Sequence, residues 1–261
     1  MECYRIHMGK AKCAVDLGDG SERGEYVNQD YILSKLGRPH RSISLMYCYY
    51  PLDAGWPGRA SVVHASPDVS FAWDFPYDDY FTYKGGLGGS TEGEPFEYMR
   101  EIRRHGQDVS LTLTIDPHVS DEYLAAIGED LRPFGRVFLR INHEATGNWF
   151  SFNKRCTYQE VADFFVRASR IIKEHAPNVQ TIICIGGIED LAKEEMEKEQ
   201  EFAQTIPAAD IWSVDKYMAL HWGWPYDVAE HGGNSHSRST VADTYEKTKR
   251  SPMILPIIME V

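Results

Sequence analysis

The stretch Leu139-Arg140-Ile141-Asn142-His143-Glu144-Ala145-Thr146-Gly147-Asn148-Trp149-Phe150-Ser151-Phe152 decides how the rest of the chain is read. It continues an apolar run, Val137-Phe138-Leu139, and passes at once into Arg140, Asn142, His143 and Glu144 before an aromatic-rich loop. A buried strand ending in clustered polar groups is how a parallel α/β barrel presents reactive side chains at its C-terminal face. A carboxyl group held there, with Trp149 five residues on to shield it, can have its pKa raised and act as a proton donor.

Outward from this stretch, apolar runs of strand length alternate with amphipathic runs of helix length, the pattern of a parallel sheet. The spacing predicts strands near 11–16, 42–49, 109–115, 136–142, 179–185, 210–214 and 252–259. Helices are expected at 27–36, 95–105, 121–131, 157–176, 188–204 and 238–249. The helix 157–176 is the best marked. Thr157 and Glu160 form a capping box, and Val161, Phe164, Phe165, Ala168 and Ile171 recur at helical spacing. With 261 residues and 43% apolar content, the chain suits one (β/α)8 TIM-barrel domain, which typically takes roughly 250 residues.

Residues 50–94 break the alternation as a loop-rich insertion of Pro, Gly, Asp and aromatics. Its aromatic side chains suit a sugar-binding rim or simple packing against the barrel. Seven strands are counted, and the last, 252–259, runs almost to Val261. A barrel lacking its eighth strand leaves two unpaired edges, so the sequence reads as truncated after strand seven. On the order of 40–70 further residues are expected to follow.

The formal charge of −12 argues against nucleic acid or an anionic membrane as partner, since both need a basic surface. No run of 18 apolar residues is present to span a bilayer. The five cysteines have no metal-ligand spacing; Cys48 and Cys184 lie in apolar runs and read as buried thiols, and Cys3 and Cys13 are free to pair or not. His231 and His236 share a Gly-rich loop without a third ligand, so no metal is expected. The Gly85–Gly89 run follows no strand and lacks dinucleotide-binding spacing, and no cofactor is implied. A Ser-His-Asp hydrolase is not indicated, because no GxSxG elbow occurs.

Two glutamates fall at strand ends, Glu144 after the fourth predicted strand and Glu260 after the seventh. Glycoside hydrolysis needs two carboxyl groups, and a pair about 5–5.5 Å apart retains the anomeric configuration. Glu260 taken alone also reads as a surface carboxylate. Unless the strand end twists or bulges, His143 points to the side opposite Glu144, and so serves to orient a neighbour or as a structural histidine. Asp116, after the third strand, is placed to bond a sugar hydroxyl or to cap the next helix. Trp149, Trp222 and Trp224 have flat rings suited to pyranose faces, although Trp222 and Trp224 suit core packing equally.

The segment Arg140–Phe152 resembles strand four of glycoside hydrolase family 26, the β-mannanase family of the 4/7 retaining superfamily. There a His-Glu pair followed by Gly and Trp carries the acid/base glutamate and an aromatic of the −1 subsite, which falls on His143, Glu144, Gly147 and Trp149. Trp212-Ser-Val-Asp215-Lys-Tyr217 resembles the family's sixth strand, whose tyrosine bonds the nucleophile, and Glu260 matches the nucleophile position. The resemblance thus implies a retaining endo-β-mannanase with Glu144 and Glu260 catalytic. His143, Trp149, Asp215, Tyr217, Trp222, Trp224, Asp116 and Arg140 would hold the polysaccharide, with an extracellular or periplasmic location. The chain departs from the family in carrying Phe150, Ser151 and Phe152 after Trp149, and in having no strand-eight aromatic. The same scaffold also serves mixed-linkage β-1,3-1,4-glucan and β-1,3-xylan. A reading of another class is a carbohydrate-binding barrel without catalysis.

Overall fold

The computed structural model describes residues 41–56, 81–147, 150–185 and 201–214, with short pieces at 16–17, 33–34, 37, 39 and 252–254. The strands are β1 (Asp16–Leu17), β2 (Ser42–Tyr49), β3 (Phe81–Thr82), β4 (Asp108–Ile115), β5 (Val137–Ile141), β6 (Val179–Ile185), β7 (Ile211–Val214) and β8 (Pro252–Ile254). Between them lie helices α1 (Phe96–Arg104), α2 (Asp121–Leu131), α3 (Ser151–Arg155), α4 (Tyr158–His175) and α5 (Thr205–Ala208). All ladders are parallel, and the main path runs β1-β2-β4-β5-β6-β7-β8. β2, β4, β5, β6 and β7 coincide with five of the seven strands read from the sequence. β1 shares only residue 16 with the expected 11–16, and β8 covers the start of the expected 252–259, the remainder of both lying outside the described residues.

Two elements differ from the sequence reading. β3 lies inside the stretch read as an insertion without strands. It pairs through Tyr47↔Phe81 and Cys48↔Thr82, along the side of β2 not taken by β4, further along than β1. α3 lies where a loop is expected after the fourth strand; five residues are too few to show helical periodicity.

From β4 to β8 consecutive strands pair in chain order, and each parallel return requires a crossover. Among the described residues α1 lies before β4, α2 between β4 and β5, α3 and α4 between β5 and β6, and α5 between β6 and β7. α4 begins with the expected capping box. The Glu160 N–H donates to Thr157 Oγ1 at 3.2 Å, and Thr157 N–H donates to Glu160 Oε2 at 2.7 Å. Such a cap contributes about 1 kcal/mol. Gly128 lets α2 lie directly on α4, since a Cβ there would sit 2.7 Å from His175 Cβ.

Side chains alternate between the two faces of a strand. The odd-numbered residues of β2, β4 and β6 face the helices. Tyr49 meets Tyr123 of α2 at 6.3 Å between ring centroids, and Thr181 Oγ1 is 2.7 Å from Ser169 Oγ of α4. The opposite face is the barrel lumen, and its rows are more polar. Asp108 closes the lower end, where Arg41, Arg103 and Arg136 converge on its carboxylate.

A buried aromatic cluster ties α2 to the chain after β3. The Tyr83 hydroxyl donates to Asp130 Oδ2 at 2.9 Å, and Gly86 N–H donates to the same oxygen at 2.6 Å. Gly86 has φ +79° and passes against the Tyr49 hydroxyl, leaving no room for a Cβ. Burial pushes both phenols well up from their ordinary value, with the Asp130 charge adding to the shift. A raised folded-state pKa keeps the phenol neutral when an unfolded tyrosine has ionised. The associated stability is therefore full below pH ~10 and is lost as pH rises beyond it. Thermal melts between pH 8 and 11.5 are expected to show this alkaline loss, and Tyr83→Phe is expected to reduce it. An unchanged alkaline slope in that variant would remove Tyr83 as a cause.

Candidate functional site

The C-terminal ends of β2, β4, β5, β6 and β7 form one mouth. β5 ends in a bulge that turns a strand into a platform. Its ladder with β6 runs from Val137↔Val179 to Arg140↔Ile182 and resumes where Ala145 N–H donates to Cys184 O at 2.8 Å. Between these points Asn142 and Glu144 both adopt the left-handed region, with φ +54° and +46°. This is uncommon for residues other than glycine and is tolerated best by Asn.

Asn142 shows what holds the turn. Its Oδ1 accepts from Ile115 N–H at 2.7 Å, and its Nδ2 donates to Ile115 O at 3.2 Å. Its own N–H donates to Leu113 O at 3.2 Å. The side-chain amide thus takes the place of a peptide group and continues the β4–β5 ladder for a step after the backbone has turned away. The sequence places Asn142 in the polar cluster, but spacing alone gives it no role.

The bulge also settles where His143 points. Its Nδ1 lies 3.4 Å from Arg140 Nη1, and its ring meets Phe150 edge-on at 5.9 Å. Phe150 stacks on Phe152 at 5.6 Å. Glu144 follows at 9% exposure, with Gly147 N–H donating to its carbonyl at 2.7 Å. Asn153 of α3 closes the loop by donating to Gly147 O. A carboxyl group with little solvent access therefore stands at the mouth, on a turn fixed to both neighbouring strands. Arg140, 6% exposed, lies on the lumen row beneath.

Asp116 belongs to a second cluster. Its Oδ1 accepts from His118 N–H and faces His118 Nδ1, both at 3.0 Å, and its Oδ2 accepts from Arg155 Nη1 at 2.9 Å. Arg155 also forks onto Asp53 at 3.0 and 2.7 Å and lies 4.6 Å over the Tyr50 ring. Burial alone would lower the Arg155 pKa, but its bond to Asp53 and the Asp116 charge carry it above its ordinary value. The network ties the chain after β2, the chain after β4 and α3 into one rim. Cys156 Sγ sits 3.7 Å from His118 Nε2, and burial, then Glu160 and Asp116, push this thiol up to about 11. Sequence reading missed Arg155, because nothing local pairs it with Asp53, 102 positions away.

Among the sequence-predicted site residues, Arg140, His143 and Glu144 are brought together on one strand end, and Asp116 joins the Arg155 network. Trp149, Asp215, Tyr217, Trp222, Trp224 and Glu260 lie outside the described residues. Among the described residues, no helix is long and apolar enough to cross a membrane.

No family model matches the sequence, and no curated protein does. Solved structures do match the fold. A family 26 β-mannanase from Bacteroides ovatus superposes with a TM-score of 0.61 at 13% identity, over 96% of this chain and 73% of that one. A double mutant of the Cellulomonas fimi endo-β-1,4-mannanase gives a TM-score of 0.53 at 10% identity, over 92% of this chain and 55% of that one. At such identities the likeness is one of architecture, and the chain has a parallel α/β-barrel fold similar to that of the family 26 mannanases.

Proposed function

We propose that the protein is a retaining endo-β-glycanase, with β-1,4-mannan as its substrate. The observation that carries this reading is the position of Glu144, poorly exposed at the barrel mouth on a left-handed turn pinned to β4 and β6. The similarity of fold to mannanases supports it. Glu144 protonates the departing glycosidic oxygen while Glu260 attacks the anomeric carbon to form a glycosyl-enzyme. Glu144 then takes a proton from the incoming water, whose oxygen displaces Glu260. Tyr217 donates to the Glu260 carboxylate and keeps it ionised. Trp149, Trp222 and Trp224 stack on sugar rings and Asp215 completes the polar contacts, whereas Asp116, buried with its two oxygens engaged by His118 and Arg155, acts through the rim.

Substrate choice is tested by reducing-sugar release from mannan, galactomannan, lichenan and β-1,3-xylan. Mannan and galactomannan are expected to be cleaved fastest. Activity on lichenan alone would replace the mannanase reading with a mixed-linkage glucanase. Retention on mannan in affinity electrophoresis without any sugar release would favour a binding protein.

A further inference from the structure

The row of side chains that lines the top of the lumen is unusually small and polar. Through the register Thr82↔Cys48↔Thr114 on one side and Cys184↔Ser213 on the other, it carries two thiols and three hydroxyls around the barrel. One row down stand Met46, Thr112, Arg140, Ile182 and Ile211, which are mostly large. Thr82, Thr114 and Ser213 are 6%, 0% and 0% exposed. Their hydroxyl oxygens and the Nε of Arg140 have no hydrogen-bond partner among the described residues. Four buried polar atoms without partners in two adjoining lumen rows are a heavy penalty, since each retains its desolvation cost uncompensated.

We infer that Thr82, Thr114, Ser213 and Arg140 Nε hold a chain of ordered water molecules in the upper lumen, and that this chain fixes Arg140 beneath His143 and Glu144. The chemistry selects water over other occupants. Each hydroxyl both donates and accepts, and Arg140 Nε only donates, so a molecule offering both functions satisfies all four. No group of three His, Cys, Asp or Glu among the described residues is placed to hold a metal ion. The row is closed to solvent, which excludes a sugar ring but not a water molecule, and buried waters of this kind make about three bonds each. Arg140 in turn meets His143 at 3.4 Å, so water that fixes the guanidinium also fixes the imidazole beside Glu144. Thr114 and Ser213 are then positioning residues, and their effect on turnover rests on the glycanase reading; the water chain does not.

The direct test is a crystal structure at a resolution that shows ordered water. Ordered water within hydrogen-bond distance of Thr114 Oγ1, and ordered water within hydrogen-bond distance of Ser213 Oγ, are the expected result. An upper lumen filled by side chains, with neither hydroxyl hydrated, would overturn the inference. The kinetic test is Thr114→Val and Ser213→Ala, which remove hydroxyls with little change of shape. Each is expected to lower kcat about tenfold, the rate equivalent of one hydrogen bond, with KM unchanged. Thr114→Ser should restore it. Unchanged kcat in both variants would reduce the hydroxyls to packing. If the wild type releases no sugar at all, the glycanase reading fails, and diffraction still decides the water chain.

Discussion

Glu144→Gln is expected to lower kcat on β-mannan by about 10²–10⁴-fold, the usual worth of a general acid. The amide has nearly the size of the acid and no proton to give. The left-handed backbone at φ +46° is no worse for Gln than for Glu, so the melting temperature should stay close to that of the wild type. The loss should depend on the leaving group. An aryl glycoside whose departing phenolate needs no proton is expected to lose far less in its first step than the polysaccharide does. Equal losses on both substrates would point to a damaged site instead of a missing acid. Glu260→Ala is expected to reduce turnover by a comparable factor on both substrates, because the nucleophile serves every leaving group. Near-normal activity in either variant would sink the assignment.

The second large effect is expected at a residue with no chemical role. Asn142→Ala removes both side-chain bonds to Ile115 and leaves a buried N–H and a buried carbonyl unpaired. It also places alanine at φ +54°. Together these cost about 3–5 kcal/mol, or roughly 8–15 °C in melting temperature for a domain of this size. Activity should fall with it, since the turn that carries His143 and Glu144 loses its anchor on β4. Asn142→Gly relieves the backbone but not the lost bonds, so it should be the milder of the two by about 1 kcal/mol. A shift below about 3 °C in the alanine variant would show that the bulge is held by something else. Calorimetry on the two variants separates these outcomes.

The regular elements were legible because they rest on local signals. The buried runs of β2, β4, β5 and β6 and the capping box of α4 each need only a few neighbouring residues to declare themselves, and each fell where the spacing placed it. Cys48 and Cys184 were legible as buried thiols for the same reason, and both are buried. β3 was not legible. Two residues cannot show a period, and their pairing depends on where β2 leaves an edge open.

In the site, the sequence determined that Arg140, His143 and Glu144 follow one another at a strand end, because covalent order alone guarantees it. It left the direction of His143 open, since one residue of slip reverses a side chain. Tertiary structure decided that point through the Asn142 amide, whose two bonds reach across 27 positions to Ile115. Only tertiary structure, likewise, joined Asp53, Asp116 and Arg155 into a rim, and gathered Thr82, Thr114 and Ser213 into one lumen row. The physical reason is common to all three. Local propensity acts within a few residues of the chain, whereas the partner of a buried polar group is set by which strands the barrel brings side by side.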